Sequence, residues 1–535
     1  MEIEKKQSWK PLIAIALSMV MMYITTFGVN VLISAIVTDL NTTVANLQFV
    51  IVAASLVAGS LMVTAGRLGD KFGKKKIFVI GVIIYATGLT TVVFSPNVAL
   101  FTLAWAVIWP AGMVLIIPTS IALIMYFYKG TQRALAFGVY AGVLAAVAAI
   151  APVVVGFIAD NVGWRLALAL SPIMGVVTVL FSATLPETDK DDTVSIDLPS
   201  VVLSVFSFGL FLITTTMAGQ YGWFFQKRTL VIGGQAVGLF GLSIVPILYL
   251  VSFILLSIFL YRGSQLKKRG DSPLLDVSLL KNSPFTLGMG IGSLIFLVNA
   301  GFLFAVSVFL QAGVLFDGLR TALTTLPYSV VLAIFSFATP GLGKHLAPKW
   351  LVVIGSIIMC IGIWLTGHYA TLKMQPSDLM LAMILVGAGS GFIMAQSTGI
   401  TMMMVKPEQS GEASGLSETL KEIIGQGFAV ALAGSILFGA VYSSMVNDYA
   451  KLEDLKLSKK EHQKIVVELE DTFQSISEED EAKFVSTLPE KTRNAYMQIV
   501  KDASEKGLDA ALMAMNVVLV IIIILAFGLP ARKLE

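Results

Sequence analysis

The chain carries a single cysteine, Cys360, in 535 residues. One thiol excludes internal disulfides and thiolate metal clusters. Its three histidines, His345, His368 and His462, lie far apart and show no metal-ligand spacing. Charge is scarce too: Asp, Glu, Lys and Arg make up 13% of the residues, against about 25% in ordinary soluble proteins. No nucleophile–base pair is apparent, so neither an enzyme, a metal site nor a cofactor is expected. Nucleic-acid motifs are absent, and a net charge of +3 is too small and too dispersed to suggest a nucleic-acid partner. The short alternating segments that build a membrane β-barrel are also missing.

What is present is apolar sequence in long runs. Hydrophobic residues make up 56% of the chain, and the mean hydropathy is +0.84. Charges sit in short islands between these runs. This is the pattern of an all-α polytopic membrane protein whose first partner is the lipid bilayer. Fourteen spans are predicted, at 11–37, 45–66, 77–95, 99–127, 135–158, 165–185, 199–219, 235–261, 285–312, 321–343, 350–371, 378–404, 421–444 and 508–529. Each reaches the length of about 20 helical residues that a bilayer core requires. The first follows Lys5, Lys6 and Lys10 and is too long for a signal-peptide core, so a retained span is expected.

Basic residues set the expected orientation. One side holds Lys5, Lys6, Lys10, Lys71, Lys74, Lys75, Lys76, Lys129, Arg133 and Lys190. It also holds Arg262, Lys267, Lys268, Arg269, Lys281, Lys344, Lys349, Lys406, Arg532 and Lys533. The other side has only Arg165, Lys227, Arg228, Arg320 and Lys373 in its short loops. The richer side is expected to be cytoplasmic, with both termini there, in a multi-pass protein of the cell membrane. Two polar segments interrupt the pattern. One is a linker at 186–198. The other, 445–507, is read as an external helical hairpin or as extensions of the flanking spans, from its capping signals at Ser458 and Ser477.

Between the second and third spans runs Gly66-Arg67-Leu68-Gly69-Asp70-Lys71-Phe72-Gly73-Lys74-Lys75-Lys76. Its glycines allow two helix ends to approach closely, because no Cβ holds them apart. This order of residues resembles the signature loop of the major facilitator superfamily. A weaker copy, Pro340-Gly341-Leu342-Gly343-Lys344-His345-Leu346-Ala347-Pro348-Lys349, lies between spans 10 and 11, with Ala347 in place of the acid. The resemblance implies two six-span halves, 1–186 and 283–535. Two extra spans lie between them, in 187–282, and a substrate path runs along the interface of the halves.

Other stretches are similar to the fourteen-span drug/proton antiporter branch. These are Ala151-Pro152-Val153-Val154-Val155-Gly156, Gly163-Trp164-Arg165, Thr321 to Pro327, and Gly411-Glu412-Ala413-Ser414-Gly415-Leu416. The likeness implies a gate built on Gly66, Arg67, Asp70, Gly73 and Lys74, with Arg133 as the expected partner of Asp70. It implies a packing hinge at Pro152 and Gly156. Two positions depart from the branch: Thr25 stands where an acidic residue is usual in span 1, and Ala106 where an arginine is usual in span 4.

A proton-coupled carrier needs a titratable group reached from both sides. The nearest candidates are Glu418, Lys421 and Glu422, which share one helix face. They serve either as a buried charge site or as side chains that snorkel to the membrane surface. Thr25, Asn30, Asn299, Gln311, Gln396 and Gln426 are candidate cavity liners, and each equally suits a helix–helix hydrogen bond. The expected function is export of hydrophobic or amphiphilic compounds, drugs or lipids, by alternating access, with a proton gradient as a candidate driving force. The alternative is a transporter-fold protein that acts as a partner or sensor, docking a protein at 445–507.

Overall fold

The computed structural model describes residues 8–529 except 30–31, 43, 192–193, 227–229, 233–234, 238–241, 317, 343–345, 404, 453–464, 467–468 and 470–489. It is built almost wholly of helices. Within apolar surroundings a helix satisfies its own backbone groups, so the long apolar runs have little other choice.

The first bundle contains α1 (Lys10–Gly28), α2 (Ile33–Asp39), α3 (Val44–Phe72), α4 (Lys74–Val93), α5 (Val98–Leu103), α6 (Trp109–Phe127), α7 (Gly130–Val162) and α8 (Trp164–Ser182). A pair follows, α9 (Leu198–Tyr221) and α10 (Val245–Lys268). The second bundle contains α11 (Ser283–Val308), α12 (Gly318–Leu342), α13 (Pro348–Tyr369), α14 (Met380–Met402), α15 (Ser410–Leu420), α16 (Ala429–Leu452) and α17 (Glu490–Phe527). Among the described residues, 13 helical stretches are long and apolar enough to cross a membrane. α3, a helix of 29 residues, stands where the second span is predicted.

Proline and polar caps mark the starts. α9, α10 and α11 each have proline at the first turn, where its missing N–H costs nothing. Asp197 caps α9 through the Ser200 N–H, and Asn282 caps α11 through the Phe285 N–H. Three stretches wind more widely, as π-helix: Ala104–Ile108, Phe309–Gly313 and Lys421–Phe428.

The two bundles repeat one packing device. In the first, a Cβ on Gly88 would lie 2.6 Å from the Trp109 nitrogen, so α4 and α6 touch backbone to backbone. In the second, a Cβ on Gly389 would lie 2.4 Å from the Gly355 oxygen, and α13 meets α14 in the same way.

Two expectations change. The first span breaks after Gly28, and α2 continues it as a separate helix. The eighth span begins at Val245 rather than 235. Before it, Leu230–Ile232 and Gln235–Val237 form a two-stranded antiparallel ribbon with Ile232 opposite Gln235. The run is apolar, but Gly233-Gly234, after Val231-Ile232 and before Gln235-Ala236-Val237, is a hairpin sequence. Of the two forms expected for 445–507, the described residues show extensions, α16 running to Leu452 and α17 starting at Glu490, with Val466 and Leu469 packed against them. Tyr442 and Met445 of α16 pack against Ala503, Ile499 and Val500 of α17. Most of 453–489, with the expected capping signals Ser458 and Ser477, lies outside the described residues.

Candidate gate and charged core

The loop ends of the two bundles meet where α3 crosses α15. A Cβ on Gly66 would fall 1.9 Å from the Gly411 carbonyl oxygen, and one on Gly415 would fall 2.6 Å from the Met62 oxygen. No larger residue fits this crossing without moving backbone. Gly73, between α3 and α4, has φ +95°, a conformation glycine adopts without strain.

Asp70 ends up over the start of α15. Its carboxylate accepts the Gly411 N–H at 3.3 Å and the Glu412 N–H at 3.2 Å. α15 has no cap of its own, since the Gln409 side chain makes no capping bond. Asp70 therefore caps this helix from the opposite bundle, where the exposed N–H groups and the helix dipole favour an anion. Lys74 lies 3.2 Å from the same carboxylate. Arg67 donates to Glu412 Oε2 at 3.1 Å. All four charged side chains are buried. Buried charges of opposite sign hold a geometry because the unpaired alternative is expensive.

Arg133 is not in this cluster, contrary to the expectation. Its guanidinium donates to the Tyr128 carbonyl at 2.8 Å and to the Met125 carbonyl at 3.2 Å. It satisfies the open carbonyls at the end of α6. The partner that sequence reading missed is Glu412. The stretch Gly411 to Leu416 was recognisable, but nothing local said that its acid would face Arg67, 345 positions earlier.

Glu412 has a further donor, the backbone N–H of Asp276 in the segment leading to α11. The Asp276 carboxylate in turn takes Lys267 Nζ at 2.6 Å. Burial pushes this carboxyl up, but Ser278 and the Lys267 ammonium outweigh it and hold it below the usual aspartate range.

Deeper along the same line lie the predicted charges. Lys421 Nζ is 2.6 Å from Glu418 Oε1 and 3.3 Å from Thr398 Oγ1. It also lies over the Phe296 ring, 5.7 Å from its centroid. At 4% exposure, Lys421 stays inside instead of reaching the surface. The Glu422 side chain lies against α3, where a Cβ on Gly59 would come within 3.7 Å of its Cγ, and it is near Glu418. Tyr23 of α1 and Tyr140 of α7 are within electrostatic reach of Glu418. The Glu418–Glu422 layer therefore faces the first bundle.

The remaining predicted residues scatter. Of the hinge motif, Ala151 and Val155 are buried, while Pro152 and Gly156 are partly exposed. The tight contact is Val155 against Gly28 of α1, where a Cβ would lie 2.6 Å away. Asn299 accepts from Ser390 Oγ at 2.8 Å and donates to Met394 Sδ at 3.3 Å. It is thus a helix–helix bond between α11 and α14. Thr25 is buried beside Tyr85, and Gln396 is buried on α14. Gln311 is exposed at the end of the span that contains α11. Asn30 and the Gln426 side chain lie outside the described residues, as do Lys344 and His345 of the second loop.

Comparison with known proteins follows the same lines. The sequence profile of the Major Facilitator Superfamily matches residues 15–430. A probable actinorhodin transporter of Streptomyces coelicolor is 27% identical over 434 residues, covering 77% of this chain and 70% of that protein. The multidrug efflux pump LfrA of Mycolicibacterium smegmatis is 26% identical over 446 residues, covering 82% of this chain and 83% of its own length. The human organic anion transporter MFSD10 superposes with a TM-score of 0.54 over 97% of this chain and 98% of its own, at 11% identity. That likeness speaks to fold alone.

Proposed function

The chain belongs to the Major Facilitator Superfamily, and on that footing we propose that it exports lipophilic or amphiphilic compounds, drugs or lipids, by alternating access. It is a membrane transporter and not an enzyme. The observation that carries the export reading is the gate. Two bundles meet at one end through Gly66 and Gly411, held by charges that cross between them. The relatives named as a multidrug efflux pump and a probable actinorhodin transporter support the cargo class. The bundles are taken as the two rocking units, 1–186 and 283–535, with 187–282 inserted. The gate end is taken as cytoplasmic, with both termini on that side of the cell membrane, from its lysines.

Proton coupling belongs to the same proposal. Glu418 pairs with Lys421, whereas Glu422 lies against α3 of the facing bundle. Glu422 is therefore the carboxyl best placed to exchange a proton as the bundles separate. The test uses protein reconstituted in liposomes, with ethidium as the lipophilic dye and an imposed pH gradient. Wild type should move the dye, and Glu422→Gln should uncouple it from the gradient more fully than Glu418→Gln. Gradient-driven movement equal in all three refutes the proton role, and no movement of any lipophilic dye or lipid refutes export. A second reading, docking of a protein at 445–507, draws on the apolar seam between α16 and α17 that carries this segment. Cross-linking from that segment in native membranes tests it.

A further inference from the structure

The pair α9–α10 is more than a spacer between the bundles. The two helices form one rigid hairpin. Arg262 makes a two-pronged bond to Asp197 at 2.7 and 2.8 Å, Ser252 Oγ donates to the Ser207 carbonyl at 2.8 Å, and Thr215 meets Tyr249 at 3.0 Å. This hairpin touches both bundles at two levels.

At mid-depth the contact is Leu212. Its side chain lies against Gly59 of α3 and against Gly427 of the π-helical stretch, where a Cβ would come within 2.8 and 2.7 Å respectively. Leu212 is thus wedged into the seam between the bundles. At the gate end the contacts are the two linkers. The Asp191 N–H donates to the Asp70 carbonyl at 3.2 Å, on the first bundle. The Asp276 N–H donates to Glu412, on the second. The linkers also meet each other, Ser195 Oγ donating to the Ser272 carbonyl at 3.3 Å.

A rigid element docked on two bodies resists their relative rotation until one docking parts. We infer that the inserted hairpin is a clasp that biases the resting transporter toward the conformation closed at the gate end, with Leu212 and the Asp276 N–H as its two release points. The inference rests on the transporter reading and on no particular cargo or coupling ion.

The test measures conformation rather than transport. Cys360 is first replaced by serine, which removes the chain's single thiol. Spin labels are then placed at Phe72→Cys and Lys406→Cys, the exposed ends on either side of the gate, in the full chain in liposomes. Distances by pulsed electron resonance should show a dominant short population. Leu212→Ala and, separately, Asp276→Pro should each lower the closed-to-open ratio by about threefold or more, the scale of one net interaction. Proline suits Asp276, whose φ is −77°, and removes its N–H. Leu250→Ala on the exposed face of α10 should change nothing. Distributions for Leu212→Ala and Asp276→Pro that match wild type overturn the clasp, as does a wild type that rests open. If Asp276→Pro does not fold, Leu212→Ala alone decides. A failure of dye export would leave these distances unaffected, so the two proposals fail separately.

Discussion

Two layers of buried charge lie on one line of helix, six residues apart at Glu412 and Glu418, and they are held differently. In the gate layer the holding contacts cross between bundles: Asp70 caps α15 and Arg67 pairs with Glu412, while Lys74 backs Asp70 from within its own bundle. In the deeper layer Glu418 and Lys421 pair with each other, three residues apart on the same helix. Glu422, by contrast, lies against α3 of the other bundle. A pair that bridges two bodies must break when they separate, so it sets the energy of a conformational state. A pair within one body travels intact and sets only local stability. On the proposed transporter reading the gate layer is expected to govern switching, and the deeper layer to keep a charge in the interior at bearable cost.

The strongest way to break this contrast is steric. Gly66→Val places carbon on top of the Gly411 carbonyl, so the gate should not close, and dye movement in liposomes should fall to background. Next is Asp70→Ala, which strips the cap from α15 and leaves Lys74 buried alone. Losing one partner of a buried pair costs about 3–5 kcal/mol, so initial transport rates should drop about a hundredfold or more. Asp70→Asn should retain part of the rate through its remaining oxygen.

In the deeper layer Lys421→Met should lower thermal stability by about 3 kcal/mol, because it strands Glu418. The double variant Lys421→Met with Glu418→Gln should recover most of that loss, since the pair is self-contained. A melting series in detergent reads both. A double variant as unstable as the single one would mean that Lys421 serves another partner. Arg133→Ala should cost only about 1 kcal/mol, the scale of lost carbonyl bonds, and leave transport near wild type. A large transport defect would return Arg133 to the gate.

The smallest effect concerns pH. The hydrogen bonds from Arg262 hold the Asp197 carboxyl down at about 2, against an ordinary value of about 3.9. Its stabilisation is complete above about pH 4 and fades as the pH falls toward 2, because the unfolded chain takes up the proton first. The melting difference between wild type and Asp197→Asn should therefore be flat from pH 7 to about 4 and shrink below it. A difference that grows with acidification refutes the pairing.

Much of this was legible in the chain. Long apolar runs dictate helices because lipid offers no hydrogen bonds, and the spans fell close to where hydropathy placed them. Gly66 to Lys76 stood out because a close crossing needs glycine and a helix cap needs an acid. Local pattern misled where it was ambiguous. The run before Val245 is apolar enough for a helix, yet its glycines and β-branched residues gave a ribbon. Pro152 and Gly156 carry the hinge motif, and the close helix contact beside them is made by Val155 against Gly28 of α1. For Asn299 the sequence left a cavity liner and a helix–helix bond equally open, and the structure makes it the bond.

By itself the sequence determined the membrane class, the helices, the family and the loop that makes the closest approach between bundles, because these follow from short-range rules of hydropathy, capping and glycine spacing. Tertiary structure alone decided partnership. Asp70 caps a helix more than three hundred residues away, Arg67 chooses Glu412 over nearer acids, Arg133 closes its own turn, and Leu212 enters the seam between the bundles. Each depends on how two bundles dock, and no local pattern encodes a distance between residues so far apart along the chain.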